Sequence, residues 1–125
     1  VPILSLAASC AEGTTKIYNV QRLRLKESDR IATVHDLLST LGADIQETQD
    51  GLVIKGISAK PNEFPLTGGT VSSHNDHRIA MTAAIAATIA NGPVTTLGAE
   101  CVSKSYPAFW AEFSRLGGHY EQYIR

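Results

Sequence analysis

The sequence has few cysteines and no excess of either charge, and each shortage excludes a class of protein. Its 125 residues include two cysteines, Cys10 and Cys101, which stand far apart and outside any Cys/His array. Neither a disulfide framework nor a zinc site is therefore indicated, and reduced thiols fit a cytoplasmic protein. The formal net charge of -1 argues against nucleic acid and against an anionic membrane surface as partners.

The sequence also lacks an apolar run long enough to cross a bilayer. Its first residues read VPILSLAASC, but there is no initiator Met and no basic segment before this run, so we do not expect it to be a secretory signal. A chain that opens inside an apolar segment is expected to be a piece of a longer polypeptide. The apolar content of 43% and charged content of 18% are typical of one small folded domain.

Four helices are predicted from apolar residues at helical spacing and from capping residues at the ends. The first runs from Pro2 to a cap at Gly13 and is apolar nearly all round. The other three are predicted from the N-cap Ser28 to Leu41, over 76–90, and from the N-cap Ser105 with Pro107 in the first turn.

Between the helices, short strands are predicted, which together give an α/β (α+β) fold. The segment ADIQETQDGLVIKG reads as two alternating strands joined by a type I′ turn at Asp50-Gly51. Residues 57–70 read as a loop, since they contain two prolines and two glycines. The other strands are expected in the segments TTKIYN, GTVSS, PVTTLGA and HYEQYI.

One α/β unit occurs twice in the sequence. The segment AASCAEGTTKI parallels AATIANGPVTTL, and in each copy a helix, a glycine and a strand follow one another. Both copies continue into a loop with one lysine, Lys26 in the first and Lys104 in the second, and then into a helix that ends in Leu-Gly. The period is roughly 75 to 80 residues, longer than that of solenoid repeats.

Basic side chains lie within one turn of three predicted helix starts. These side chains are Lys26, Arg30, His77, Arg78 and Lys104. The helix macrodipole favours acidic residues at an N-terminus, and a cation there costs about a few tenths of a kcal/mol unless an anion is bound between them. The pattern therefore predicts a shared anionic ligand.

Each of these features also has a purely structural interpretation. Lys26 to Arg30 could be a solvated helix start, and Asp76 could be a plain N-cap. Arg22 and Arg24 are more often solubility charges than ligands. His74 and His77 could form a metal pair, but no third ligand is near them in the sequence, so no metal and no cofactor are predicted.

Three motifs carry a resemblance to a known family. LKESDRI, NDHRIAM and CVSKSYPAF, with LGADI after the first, together resemble the C-terminal part of 5-enolpyruvylshikimate-3-phosphate synthases along the whole chain. The resemblance implies an inverted α/β barrel of two domains, each built from three βαβαββ units. Residues 1–125 would then form roughly one and a half units of one domain, and the other domain would lie in an N-terminal part of the polypeptide that this chain lacks.

The resemblance also implies an activity. Family members are transferases that move the enolpyruvyl group of phosphoenolpyruvate to the 5-hydroxyl of shikimate-3-phosphate and release phosphate, in aromatic amino acid biosynthesis. The parent would be a cytoplasmic monomer, and the isolated chain is expected to be inactive. Two alternatives stay open: a relative that acts on UDP-N-acetylglucosamine, and a non-catalytic α/β module that binds anions.

Six residues take roles from the resemblance. Phosphoenolpyruvate would be bound by Arg30, Arg78 and Lys104. The catalytic set would be Glu27, which transfers a proton at the methylene carbon, Lys26, which holds shikimate-3-phosphate near its reacting hydroxyl, and His77, a polar group of the same cleft. An essential Asp of the family would fall just before Val1, and Arg22 stands where some members have an Asn that contacts the shikimate phosphate.

Overall fold

The computed structural model describes residues 1–26, 28–56 and 64–121, and in them the predicted α/β fold is confirmed. The helices are α1 (Pro2–Ser9), α2 (Arg30–Thr40), α3 (His77–Ala87) and α4 (Phe109–Arg115), with 3-10 helices at Gln21–Leu25 and Ala99–Lys104. The strands are β1 (Thr14–Ile17), β2 (Asp44–Glu47), β3 (Leu52–Lys55), β4 (Gly69–Ser72) and β5 (Val94–Leu97). The order helix, strand, 3-10 helix, helix occurs twice, from α1 to α2 and from α3 to α4.

The strands form two sheets. In the first, β3 lies between β1 and β2 and is antiparallel to both, with Ile54 opposite Thr15 on one side and Ile45 on the other. In the second, β4 and β5 are parallel, and α3 is the crossover between them. Because parallel strands end at the same edge of a sheet, the segments that follow β4 and β5 begin side by side.

The main core lies between α2, the first sheet and α3. The apolar face predicted for α2 is confirmed: Ile31, Val34, Leu37, Leu38 and Leu41 are at most 1% exposed. They belong to one buried cluster with residues of β3, of the segment before β4, and of α3, which include Leu52, Ile54, Leu66 and Ile79. A smaller cluster of Ala80, Cys101 and Val102 packs the second 3-10 helix against α3.

The first helix is shorter and more exposed than predicted. It ends at Ser9 with Cys10 as its C-cap, so Gly13 does not cap it. Ile3 and Leu4 are 51% and 64% exposed, so the helix is not buried all round. Within the described part of the chain, no helix is long and apolar enough to span a membrane.

Two predicted N-caps are also wrong. The Asp29 side chain caps α2 by accepting a hydrogen bond from the Ala32 amide at 3.2 Å, one residue after the predicted cap Ser28. The last helix follows Ala108, whose side chain makes no capping bond, so Ser105 and Pro107 precede it.

The turn between β2 and β3 also differs from the prediction. Glu47 pairs with Leu52, and inside that pair the Thr48 amide donates to the Gly51 carbonyl at 2.9 Å. Neither Asp50 nor Gly51 has the positive φ that a type I′ turn requires. A Cβ at Gly51 would lie 1.7 Å from the Ile17 carbonyl oxygen, so close approach to β1 explains this glycine.

Two other predictions concern the segments at the limits of the described residues. Residues 119–121 of the predicted last strand are in no regular element, and the rest of it lies outside the described residues. The first half of the predicted loop at 57–70, residues 57–63, also lies outside them, and β4 begins at the end of the loop.

The burial of α2 generates a stability prediction. Leu38→Ala should lower the free energy of unfolding by roughly 2–5 kcal/mol, because it removes a fully buried side chain and leaves a cavity. Leu25→Ala, at a position 87% exposed, is the matched control and should change it by less than about 0.5 kcal/mol. Urea unfolding of both variants measures the difference, and equal losses would contradict this description of the core.

Candidate functional site

The candidate site is organised around the Asp76 carboxylate, which is fully buried. Its Oδ2 accepts hydrogen bonds from the Arg30 Nε at 2.9 Å and from the Ser28 hydroxyl at 2.7 Å. Its Oδ1 accepts from the Arg78 amide at 3.0 Å, which caps α3. One carboxylate thus joins the N-terminus of α2 to the N-terminus of α3.

The segment before α3 has a backbone that fits this role. His74 and Asn75 have φ values of 51° and 56°, in the left-handed region that residues other than glycine rarely adopt. The Ser73 hydroxyl accepts from the Asn75 amide at 3.2 Å and donates to the Gly98 carbonyl at 2.9 Å. The loop that leads into α3 is therefore tied to the residue before the second 3-10 helix, at the shared edge of β4 and β5.

Several sequence-predicted site residues lie around this network. Arg30 is the first residue of α2 and is 7% exposed, whereas Arg78, the second residue of α3, is exposed and His77 is half-buried. Lys26 is exposed and follows the first 3-10 helix. Lys104 is the last residue of the second 3-10 helix.

Two predicted site features lie outside the described residues. They are Glu27 as a whole and the side chain of Lys104. The second 3-10 helix, which ends at Lys104, packs against α3 through Cys101, Val102 and Ala80. The roles assigned to Glu27 and Lys104 stay predictions.

The electrostatics of Asp76 follow from its partners. Burial raises the pKa of its carboxyl group, but hydrogen bonds from Arg30 and Ser28, the charge of Arg30 and the Arg78 amide lower it more. The pKa of Asp76 therefore lies below its ordinary value of 3.8, and the carboxylate is ionised at neutral pH. A buried negative charge of this kind holds Arg30 in one orientation.

The first residue of the chain lies near the same cations. Val1 lies close enough to Arg78 and Arg30 for both charges to act on its backbone nitrogen. A cavity of about 220 Å³ opens here, lined by Arg78 and by Thr82, Val1, Pro2, Ile3, Met81 and Ile85.

Two residues of this region were missed by sequence reasoning. Its place before a helix predicts only that Asp76 is a plain N-cap, but Asp76 also binds the Arg30 guanidinium. Its place in a basic loop predicts that Arg24 is a solubility charge, but Arg24 makes four hydrogen bonds, to Asp29, Glu47, Thr48 and Gln49. Their side-chain and turn partners are 5 to 48 positions away, and no local pattern in the sequence marks them.

Among the described residues, no group of three or more His, Cys, Asp or Glu side chains could hold a metal ion. His74, considered above with His77 as a metal pair, has its Nε2 at 3.2 Å from Oδ2 of Asp36.

A family model described as EPSP synthase (3-phosphoshikimate 1-carboxyvinyltransferase) matches residues 1–113. The chain belongs to the EPSP synthase family. Relatives named 3-phosphoshikimate 1-carboxyvinyltransferase include those of Clostridium acetobutylicum, 52% identical over 118 residues, and Clostridium novyi, 48% identical over 118 residues. Both alignments cover 94% of this chain, which spans only 26% of the length of these curated relatives.

Solved structures of EPSP synthase from Acinetobacter baumannii are similar in fold. One has a TM-score of 0.86 and 41% identity, and the match covers 91% of this chain and 26% of the solved chain. A second has the same TM-score and 36% identity over 97% of this chain and 27% of the solved chain. The fold of this chain is therefore that of part of an EPSP synthase.

The Asp76 network generates a prediction for stability and its pH dependence. Asp76→Asn keeps an acceptor for the Arg78 amide but leaves Arg30 without its buried counter-charge, which should cost roughly 3–5 kcal/mol of unfolding free energy at pH 7. Because the folded pKa is lower than the unfolded one, Asp76 stabilises the fold above about pH 3.9, and this stability is lost as the pH falls through the folded value.

Urea unfolding from pH 2 to pH 7 measures both effects. The wild type should lose stability at the acid end more steeply than the variant. Asp36→Asn is the matched control, because Asp36 is 59% exposed beside His74 and should cost less than about 1 kcal/mol. Similar losses in both variants, with the same acid slope as the wild type, would show that the Asp76 network does not stabilise the fold.

Proposed function

We propose that this chain forms part of the active site of an enzyme that transfers the enolpyruvyl group of phosphoenolpyruvate to the 5-hydroxyl of shikimate-3-phosphate. The observation that carries the proposal is the meeting of two helix N-termini at Asp76, with Arg30 and Arg78 beside them, in a chain of the EPSP synthase family. The family match favours this reaction over the alternatives of a UDP-N-acetylglucosamine enzyme and a non-catalytic module.

The two helix starts provide the electrostatic basis for binding two anionic substrates. Helix N-termini carry partial positive charge and unpaired amides, and a cationic side chain beside them adds full charge. Asp76 cancels part of this charge, but its carboxylate is fully buried, whereas Arg78 is exposed. An exposed Arg beside a helix start suits a carboxylate or phosphate, which its planar fork can bind with two hydrogen bonds.

Arg30 contributes in a different way. Its guanidinium is held by Asp76 and is almost fully buried, so little side-chain freedom is lost when a substrate approaches. We infer that Arg30 acts as a fixed positive charge behind the phosphoenolpyruvate site and that Arg78 closes on the ligand from the surface.

The remaining roles rest on the family motifs. Lys26 would bind shikimate-3-phosphate near its reacting hydroxyl, and Lys104 would bind phosphoenolpyruvate. Glu27 would transfer the proton that the methylene carbon gains as the 5-hydroxyl attacks the adjacent carbon, with His77 as a polar neighbour. No cofactor is needed for this addition and elimination, in which phosphate leaves.

The rest of the site would come from other parts of a longer polypeptide. The chain spans about a quarter of its relatives, and Val1 lies close to both arginines, so a family Asp immediately before Val1 would face them. Closure of the missing domain over the cations would exclude water and strengthen their attraction to the substrates. We further propose that the whole enzyme is a cytoplasmic monomer.

The proposed function predicts that the substitution of Arg78 lowers activity far more than the substitution of Arg22. In a chimera where this chain replaces the matching 26% of the Clostridium acetobutylicum relative, Arg78→Ala should lower kcat/KM for phosphoenolpyruvate. The loss of one charge-assisted ligand corresponds to about 1.5–3 kcal/mol, or roughly tenfold to a hundredfold. The backbone amide that caps α3 is unchanged, so the fold should be retained.

Arg22→Ala is the matched control for this experiment. Arg22 is exposed in the first 3-10 helix and has no assigned ligand, so its removal should leave the kinetics nearly unchanged. Steady-state assays of both variants with both substrates decide the matter. Equal and small effects would refute the assignment of Arg78.

A second prediction concerns the chain by itself. It should show no detectable transfer, because one part of the site cannot enclose two substrates. A titration with phosphoenolpyruvate, followed by NMR, should give weak and salt-sensitive shifts near Arg30, Arg78 and Lys104, since solvent weakens each ion pair. Measurable turnover, or shifts confined to Arg22 and Arg24, would contradict the proposed site.

A further inference from the structure

Arg24 is the most highly connected cation on the described surface. Its Nε donates to the Gln49 carbonyl at 3.0 Å, and its Nη2 donates to the Thr48 carbonyl at 2.7 Å. Its Nη1 donates to both Asp29 Oδ2 and Glu47 Oε2 at 2.8 Å. One guanidinium therefore connects the first 3-10 helix, the turn between β2 and β3, and the N-cap of α2.

The same turn also holds the other end of the first 3-10 helix. Asp50 accepts a hydrogen bond from the Asn19 amide at its Oδ2, at 3.0 Å, and another from the Val20 amide at its carbonyl, at 2.9 Å. The helix Gln21–Leu25 has no fully buried residue, although Leu23 and the preceding Val20 are partly buried and pack against the main core. Polar contacts with the turn hold it at both ends as well.

In the sequence, Lys26 lies between Arg24 and Asp29, which are hydrogen-bonded to each other. Leu25 is 87% exposed and Lys26 is exposed as well, so neither side chain anchors the backbone by burial. Asp29, bonded to Arg24, caps α2, and the neighbouring Ser28 hydroxyl donates to Asp76. The Arg24–Asp29 bond thus joins residues on either side of Lys26, which is itself exposed.

An arginine is needed for these contacts. The guanidinium uses three nitrogens in a planar fork to reach two carboxylates and two carbonyls, whereas an ammonium group is a single point of charge. Hydrogen bonds that Arg24 donates to Asp29 and Glu47 raise the pKa of its guanidinium above the ordinary value, so the group stays charged. The bonds are partly exposed, so their importance is geometric rather than energetic.

We propose that Arg24 is a positioning residue: it clamps the segment that carries Lys26 onto the β2–β3 turn and the start of α2, and so sets the place of Lys26 for a phosphorylated substrate. The clamp itself follows from the contacts of Arg24, and the role of Lys26 rests on the proposed function. Arg24 touches no substrate in this scheme and acts only through the loop.

The clamp is tested first in the chain itself, without activity. In ¹⁵N relaxation measurements, Arg24→Gln should lower the order parameter of the Lys26 amide from about 0.85 to below about 0.6. Arg24→Lys keeps the positive charge but should also lower the order parameter of the Lys26 amide, because an ammonium group cannot make the forked contacts. Arg22→Gln, in the same 3-10 helix, is the matched control and should leave the Lys26 amide unchanged.

A second variant covers the case in which Arg24→Gln does not fold. Asp29→Asn keeps a good N-cap residue but removes one charge that binds Arg24, so it should loosen the same amide by itself. In the double variant the loss of order at Lys26 should be smaller than the sum of the two single losses, since both substitutions break the same Arg24–Asp29 contact. Unchanged order at Lys26 in Asp29→Asn, or in a folded Arg24→Gln variant, would overturn the proposal.

The functional consequence is tested in the chimera described above. Arg24→Gln should lower kcat/KM for shikimate-3-phosphate by about tenfold to a hundredfold, the scale of a small misplacement, and should change the KM for phosphoenolpyruvate little. Equal effects on both substrates, or none, would overturn the link between Arg24 and Lys26. An unmutated chimera without activity would count against the proposed function, whereas the order parameters decide the clamp independently.

Discussion

The Asp76 carboxylate is the interaction on which the site depends. It binds side chains 46 and 48 positions earlier in the chain and also caps the helix that follows it. Without it, the positive ends of α2 and α3 would face each other with Arg30 between them. A buried ion pair adds little net stability, since desolvation offsets the attraction, but it penalises every arrangement in which the pair is broken. We infer that Asp76 specifies how the two helix starts meet.

The parts of the fold that sequence could predict are those with a strong local period. The apolar face of α2 and the alternating strands β2 and β3 fall into this class, because burial of one face dictates the spacing. Helix starts were less predictable. Ser28 and Asp29 are both good capping residues, and the choice between them depends on the bond from Ser28 to Asp76. The conformation of the turn at Asp50-Gly51 also depends on a residue distant in sequence, since Gly51 packs against the Ile17 carbonyl.

The candidate site was predictable only in outline. The clustering of cations at helix starts pointed to Arg30 and Arg78, and the structure joins the two helix starts to which they belong. The sequence pattern did not reveal that Arg30 has a buried acidic partner or that Arg24 links three segments, because both features depend on contacts between elements. The roles of Lys26, Glu27, His77 and Lys104 remain predictions of the family motifs, since no contact in the structure tests them.

The parallel pairing of β4 and β5 affects the order in which the chain folds. β2 and β3 adjoin in sequence and can pair early, whereas β4 and β5 can pair only after α3 has crossed between them. Contacts that close long loops form late because their entropy cost precedes any gain. The Arg30–Asp76 bond joins α2 to α3 across 46 positions, so we expect it to be absent from the folding transition state. The kinetic φ-value, which is the fraction of a mutation's stability loss already present in the transition state, should then be near zero at both residues. Its loss would then accelerate unfolding and leave the refolding rate nearly unchanged, so this site governs how long the native state persists rather than how fast it is reached.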